Sequence, residues 1–464
     1  MSQISQQELF EKKPVTEAIL RLALPTIIGQ IILVVYNMAD TFFVGLTGSD
    51  SMITAVTVCM PAFMFLSAIS NLFGVGGASV ISRALGKQNP ERAASAAAFC
   101  FWGCILVTVL YAVGAYVFRH TFLNLLGGSN LLVHGYAEKY LICTVVLGGL
   151  PAAMSTLCSH LIRSEGRATQ ASVGIAMGGI LNIALDPLFM FVILPEGQET
   201  FGAALATAVS NTAALIYFAV ILMKGRKHSV LSFRLGRASF KDGIPKDVLS
   251  TGLPACLMTL FENISYAILD NLMALYGTAV QAGIGVAKKV NMLAHCMVRG
   301  MSQGVLPLIG YNYAANQHKR MRQSILLSTT FSVGLAALCM AACLLFSNTL
   351  IGIFIQHESI SLEFGAKFLR ILCIGAPLSA CAYAFISFFQ AVGKGRTSFI
   401  LAILRKGILD IPLMYLLRKL FSVFGIVWAT PIADTVCAAA AIVMFVGFLR
   451  KHGGFSPTTD TEKS

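Results

Sequence analysis

Between polar ends, this chain returns again and again to apolar runs of about twenty residues, the length an α-helix needs to cross the hydrocarbon core of a bilayer. The runs mix Leu, Ile, Val, Phe, Ala, Gly and Met without a two-residue alternation. Helical spans are therefore predicted rather than a barrel, since only these two structures satisfy every backbone polar group in lipid. Of 464 residues, 56% are hydrophobic and 12% charged, against roughly a quarter charged in a soluble domain. A water-soluble globular class is excluded. The twelve cysteines lie almost entirely within apolar stretches, without metal-ligand or redox spacing, and read as reduced, packed small hydrophobes.

The net charge of +13 sits in alternate connections, which points to a membrane face rather than to nucleic acid. Lys12 and Lys13 precede the first span; Arg83, Lys87 and Arg92 share one loop; Arg163 and Arg167 another. A basic segment runs from Lys224 to Lys246, followed by Lys319, Arg320 and Arg322, then Lys394 and Arg396, and at the end Arg450 and Lys451. The intervening loops carry little positive charge, Arg119 and the pair Arg418 and Lys419 apart. The positive-inside rule then places both termini in the cytoplasm, with an even number of spans across the inner membrane. The first residues lack the hydrophobic core and cleavage site of a secretory signal and are expected to form a cytoplasmic tail.

The chain also repeats itself. Leu24-Pro25 opening the first span returns as Leu253-Pro254, an offset of 229 (254 − 25). Gly166-Arg167 returns as Gly395-Arg396 (395 − 166 = 229), and Ile180-Leu181-Asn182-Ile183 as Ile408-Leu409-Asp410-Ile411 (408 − 180 = 228). Phe201-Gly202 with Ala206-Thr207 returns as Phe424-Gly425 with Ala429-Thr430. Two copies of one unit are implied. The expected class is an all-α polytopic membrane protein with 12 transmembrane helices in two pseudo-symmetric six-helix bundles. Span centres fall near Leu33, Ser67, Leu106, Val146, Ile180 and Ala213, then Glu262, Met292, Leu335, Gly375, Ala402 and Ala439. The expected divisions are a tail over 1–14, a first lobe over 15–224, a basic linker over 225–246, a second lobe over 247–450 and a tail over 451–464. Six spans per copy return the chain to its starting side, so the copies are related by an axis along the membrane normal, with a cleft between them.

Carboxylates at mid-membrane depth cost ~2.5–3.5 kcal/mol each on insertion scales and therefore need a reason. Asp40 follows the apolar Ile31–Tyr36 stretch, and Asn182 and Asp186 lie four residues apart on one helical face, with Pro187 freeing a carbonyl beside them. With the Thr207 hydroxyl they form an oxygen-rich set suited to H+ or Na+. For Asn182 and Thr207, hydrogen bonding between helices is an equal alternative. Two acids facing each other in a low dielectric cannot both keep their charge, so cation occupancy becomes a switch. In the second half Asp410 stands where Asn182 does, but Met414 falls at the position of Asp186. That half instead carries Glu262, Asp270, Lys288, Lys289, Arg299 and Asp434, opposite charges expected to pair between helices. Glu262, eight residues beyond Pro254 on an apolar segment, is the better functional candidate there, with Asp270 and Asp410 beside it as a possible second cation or substrate site.

These features together resemble the multidrug and toxic compound extrusion (MATE) family, in its bacterial branch with a first-lobe carboxylate site. The resemblance rests on Leu24-Pro25, Asp40-Thr41 with Gly45, Ser82-Arg83-Ala84-Leu85-Gly86, Gly166-Arg167, Asn182 with Asp186-Pro187, and Gly202 with Ala206-Thr207. It implies a V-shaped pair of lobes that exports cationic amphipathic compounds in exchange for Na+ or H+. It also implies cation binding by Asp40, Asn182, Asp186 and Thr207, with the Ala203 carbonyl and Tyr36 nearby. Another branch uses a second-lobe site on a glutamate matching Glu262, together with an acid where this chain has Arg396.

The rival reading is a lipid-linked precursor flippase, for which Lys288, Lys289 and Arg299 would hold pyrophosphate. An enzyme is not expected: no HExxH, GxSxG or Walker lysine loop appears, so neither ATP nor a cofactor beyond the coupling ion is implied. The expected partners are cationic amphipathic molecules and the bilayer, with the protein acting as a monomer.

Overall fold

In a computed structural model, residues 8–125, 131–226, 229–355 and 360–451 are described. Most of the expected C-terminal tail and the first seven residues lie outside them. Helices α1 (Val15–Leu46), α2 (Asp50–Gly86) and α3 (Pro90–Val117) make the first three spans. A short α4 (Arg119–Leu125) leads to α5 (Leu131–Leu141), which runs through a π-helical stretch into α6 (Gly149–Ser164) with a 44° bend. Helices α7 (Ala168–Leu188) and α8 (Glu199–Gly225) complete the first half. The second half repeats the order with α9 (Ile244–Ala274), α10 (Thr278–Ala314) and α11 (His318–Gly352). A 43° bent pair follows, α12 (Ile360–Ile374) and α13 (Ala376–Ala391), then α14 (Gly395–Ile403), a π-helical Leu404–Asp410 and α15 (Ile411–Lys451).

Twelve spans emerge among the described residues once two cases are resolved. The continuous stretch Gly395–Lys451 has 57 residues, far more than the ~20 of one crossing. It breaks at Phe421 and Ser422, the latter at φ 53°, and therefore crosses twice. Helix α10 has the length of a span, 37 residues, but a more polar composition, because one of its faces carries Lys288, Asn291, His295, Arg299 and Gln303 toward protein rather than lipid. Ten of the twelve sequence-read span centres fall within α-helices; Val146 lies in the π-helical stretch before α6 and Gly375 at the α12–α13 break.

The apolar core divides in a way that defines the shape. One cluster combines residues of both halves: Ile19, Leu22, Ile81 and Leu161 pack with Val248, Leu308, Phe388 and Phe445. A second cluster belongs to the first half alone, with Val44, Leu66, Leu123 and Leu141, and a third to the second half alone, with Leu272, Ile284, Phe368 and Ile426. Two lobes are thus joined at one end and separately cored at the other, which is a V. The joined end is the one bearing the basic loops.

Small residues make the junction possible. Helix α1 packs on α10 and α2 on α9, at crossings where a side chain would strike backbone. A Cβ on Gly252 would overlap the Leu72 carbonyl, one on Gly76 the Val248 carbonyl, and one on Gly304 would lie 2.8 Å from the Ala23 Cα. Close approach through glycine is a recurrent device of helix packing in lipid. Interlobe hydrogen bonds reinforce the seam, from Asn71 Nδ2 to Thr259 Oγ1 (2.9 Å) and from Ser79 Oγ to the Gln390 carbonyl (2.5 Å).

Residues 8–13, read as tail, belong to this seam as well. Glu8–Lys12 forms a π-helical turn whose Phe10 is fully buried, its ring 5.1 Å from that of Tyr311 and packed against Gly166. Arg320 donates to the Phe10 carbonyl at 2.7 Å and to the Lys13 carbonyl at 2.6 Å.

Replacing Gly252 by Val should force α2 and α9 apart, at a cost of about 1–3 kcal/mol. Amide exchange over residues 72–80 is then expected to rise several-fold, and unchanged exchange there would mean that the crossing is not held by glycine.

Candidate functional site

Helix α7 brings the first-lobe residues together because it carries two adjacent glycines. Gly179 sits against Ile32 and Tyr36 of α1, each 3.0 Å from where a Cβ would stand, and Gly178 faces Ala214 of α8. With α1 and α8 so close on either side, Asn182 and Asp186, one and two turns further along α7, lie between α1, which bears Asp40 and Tyr36, and α8, which bears Thr207. The Asn182 amide donates to Asp186 Oδ1 at 3.2 Å and to Thr207 Oγ1 at 3.4 Å. Asp40 and Asp186 lie close enough to interact electrostatically. Both are buried, at 7% and 0% exposure.

What this cluster lacks is positive charge. Among the described residues no lysine or arginine pairs with Asp40 or Asp186. Three of its oxygens, Asp40 Oδ1, Asn182 Oδ1 and Asp186 Oδ2, are buried without a hydrogen-bond partner. Buried acceptors left unpaired are costly, and a bound cation satisfies them. The donor set, two carboxylates, an amide carbonyl and a hydroxyl, is all hard oxygen and fits H+ or Na+. Ala203 is buried one turn before Thr207 on α8. Tyr140, near the end of α5, also interacts electrostatically with Asp40, Asp186 and Tyr36; sequence reasoning missed it because α5 approaches the cluster only through the fold.

The second lobe makes the opposite choice. Glu262 pairs with Arg299 at 2.8 Å and accepts from the Tyr383 hydroxyl at 3.2 Å. Asp270 pairs with Lys288. Asp434 pairs with the wholly buried Arg405 at 2.6 Å. Asp410 accepts from Lys406 at 2.8 Å, Ser265 at 2.6 Å and Thr430 at 2.9 Å. Glu262, Asp270 and Asp410 are therefore not one open carboxylate cluster, since each holds its own cation. Arg405 and Lys406 went unnoticed in the sequence, although Lys406 and Asp410 at i and i+4 within an apolar run were a readable signal.

Internal symmetry makes the contrast direct. Thr430 meets Asp410 as Thr207 meets Asn182, so the two sites are counterparts. The loop before them has slipped: its left-handed glycines are Gly166 (φ 81°) and Gly393 (φ 79°), 227 apart (393 − 166), while the sequence-matched Gly395 begins α14. The π-helical stretch Leu404–Asp410 then supplies one extra residue, as a π-bulge does, restoring the offset of 228 at Asp410. In this counterpart the Lys406 ammonium supplies a positive charge that, among the described residues, the first-lobe cluster lacks.

A twelve-span duplicated bundle with a buried, counter-charge-free carboxylate pair is built as a transporter, not an enzyme. The MatE family model matches the chain twice, at residues 25–188 and 254–416, and the chain belongs to that family. The second match begins 229 residues after the first (254 − 25), the offset of the internal repeat. The chain is similar to the multidrug export protein MepA of Staphylococcus aureus (strain MRSA252), 28% identical over 438 residues, 94% of each chain. It is as similar to MepA of Staphylococcus saprophyticus, 28% identical over 435 residues, again 94% of each. Among solved structures it shares its fold with a multidrug resistance MATE family transporter of the MOP superfamily in an outward-facing conformation. There the TM-score is 0.89 at 24% identity, covering 97% of this chain and 100% of that one. A MATE in complex with MaL6 superposes with TM-score 0.88 at 24% identity and the same coverage.

Lys406→Met leaves Asp410 buried without its ion partner and should lower stability by about 3–5 kcal/mol. Lys406→Met with Asp410→Asn should recover most of it, as read by thermal unfolding of the purified protein. A single variant as stable as the double would show that the pair does not neutralise Asp410.

Proposed function

We propose that the protein is a secondary active multidrug exporter of the cytoplasmic membrane, which expels amphipathic, typically cationic, compounds in exchange for H+ or Na+. The observation that carries this reading is the oxygen cluster of Asp40, Asn182, Asp186 and Thr207, buried without counter-charge beside a second-lobe counterpart whose counter-charge is built in. A site that must be neutralised from outside binds whichever cation the medium offers and releases it when the lobes rearrange. Export by the MepA relatives supports drugs as the cargo.

The two lobes, 15–224 and 247–450, would rock about the glycine seam, with the linker 225–246 and both termini in the cytoplasm and the protein acting as a monomer. With the seam closed at the basic-loop end, the cleft opens to the outside. Binding of H+ or Na+ at Asp40 and Asp186 removes the repulsion between the carboxylates and lets α1 settle against α7; its departure inward resets the cycle. Two of the three cations that would recommend a pyrophosphate-holding flippase, Lys288 and Arg299, are already paired with Asp270 and Glu262, which favours drug export.

In proteoliposomes, Asp40→Asn and Asp186→Asn should each abolish gradient-driven ethidium transport, a loss of at least about 10-fold, at unchanged protein content. Imposing pH and Na+ gradients separately identifies the ion. Transport at the wild-type rate by both variants would remove the coupling role of the cluster.

A further inference from the structure

The cleft between the lobes is lined by residues of both. Its charge is not what an exporter of simple cations calls for. Arg163 and Arg299 line it against the single carboxylate of Glu262, a net formal charge of +1 with His160 neutral, and Glu262 is already held by Arg299. That leaves Arg163, which is 3% exposed, as the cation without a counter-ion. Among the described residues it has no carboxylate within ion-pair distance; its Nη1 reaches only His160 Nδ1, at 3.5 Å, and its Nε has no partner at all. Glu165, two residues on, is turned away and engaged by Ser229, Val230 and Arg167.

Two further orphaned polar atoms line the same cleft, the Gln390 side-chain amide nitrogen and the Ser302 hydroxyl. A guanidinium N–H, an amide N–H and a hydroxyl are all donors. Three buried donors with no acceptor, one of them charged, specify a ligand that brings acceptor oxygens and negative charge. Local packing holds Arg163 in place. Gly74 on α2 leaves room for the His160 ring, whose Cδ2 would stand 2.7 Å from a Cβ there, and Arg163 follows one turn later on α6. Val75, Met258, Leu306 and Ile386 supply apolar wall, beside the neutral polar side chains of Asn71, Thr259, Gln303, Tyr383 and Ser387.

From this we infer that the central cleft holds an anion subsite built by Arg163, Gln390 and Ser302, and that the preferred cargo is an amphipath bearing a carboxylate, including zwitterions whose cationic end lies elsewhere in the cleft. The inference rests on the reading of the chain as a drug exporter and adds the chemical class of its cargo. One uncompensated arginine suits a monoanionic head, since the other cations of the region have their own carboxylates.

Rhodamine 110 and its methyl ester rhodamine 123 differ only in a free carboxylate, so equilibrium fluorescence polarisation with the purified full-length protein isolates that group. The wild type should bind rhodamine 110 about 10- to 100-fold more tightly than rhodamine 123, the range expected of a charge-assisted hydrogen bond. That ratio should fall to about one in Arg163→Gln and survive in large part in Arg163→Lys. Should Arg163→Gln fail to fold, Gln390→Glu, which places a carboxylate in the subsite, should bring the ratio to one or below. Equal affinities in the wild type, no binding of rhodamine 110, or a ratio indifferent to both the Arg163→Gln and Gln390→Glu changes would overturn the inference. Because no gradient is present, such a result leaves ion coupling standing, whereas loss of coupling with the dye preference intact would strike only the exporter reading.

Discussion

Charge in a low-dielectric bundle must be compensated, and the two lobes of this protein do so by different means. In the second lobe the buried acids described each have a side-chain cation: Arg299 for Glu262, Arg405 for Asp434, Lys406 for Asp410. Such pairs are strongly held once formed, because removing either partner strands a charge. In the first lobe the equivalent helices carry Asp40 and Asp186 with no cation paired to either among the described residues, and three oxygens are left over. Since one unit was copied to make both lobes, the difference reads as a division of labour. One lobe carries its counter-charge covalently; in the exchange proposed above the other takes a cation from solution, which is how it would answer to an ion gradient.

The first-lobe cluster and the interlobe seam share helix α1. Helix α1 bears Tyr36 and Asp40 toward α7, and its opposite end bears Ala23 and Ile27 against Gly304 and Gly300 of α10. The oxygen cluster and the interlobe seam are therefore two ends of one helix, with Pro25 inside the seam portion. At the α1–α10 and α2–α9 crossings the seam is held by close backbone contact through glycine, which would suit the rocking proposed above. Its outer layer is the turn at Phe10, tied by Arg320 and Tyr311 to one lobe and packed on Gly166 of the other.

Much of this was legible in the residues. Apolar runs predicted the spans, the repeat offsets predicted the pairing of lobes, and Asn182 and Asp186 at i and i+4 predicted a shared polar face that the fold joins to Thr207. Other features were hidden for specific reasons. The offset of 229 at Gly166 misplaces the turn by two residues, because a left-handed glycine is chosen by backbone geometry and not by the neighbouring letters. Tyr140 and Arg163 are unremarkable in sequence; the first matters through the approach of α5 to α1 and α7, the second because the one acid of the cleft, Glu262, is already held by Arg299.

The residues alone determined the solvent, the number of crossings, the duplication and the presence of acids too costly to leave unexplained, since hydrophobic length, charge and periodicity are local properties that no folding can alter. Tertiary structure decided which acids are neutralised and which stand open. Ion pairing depends on distances of a few ångströms between helices remote in the chain, as between Glu262 and Arg299 or Arg405 and Asp434, and those distances exist only once the bundle has closed around them.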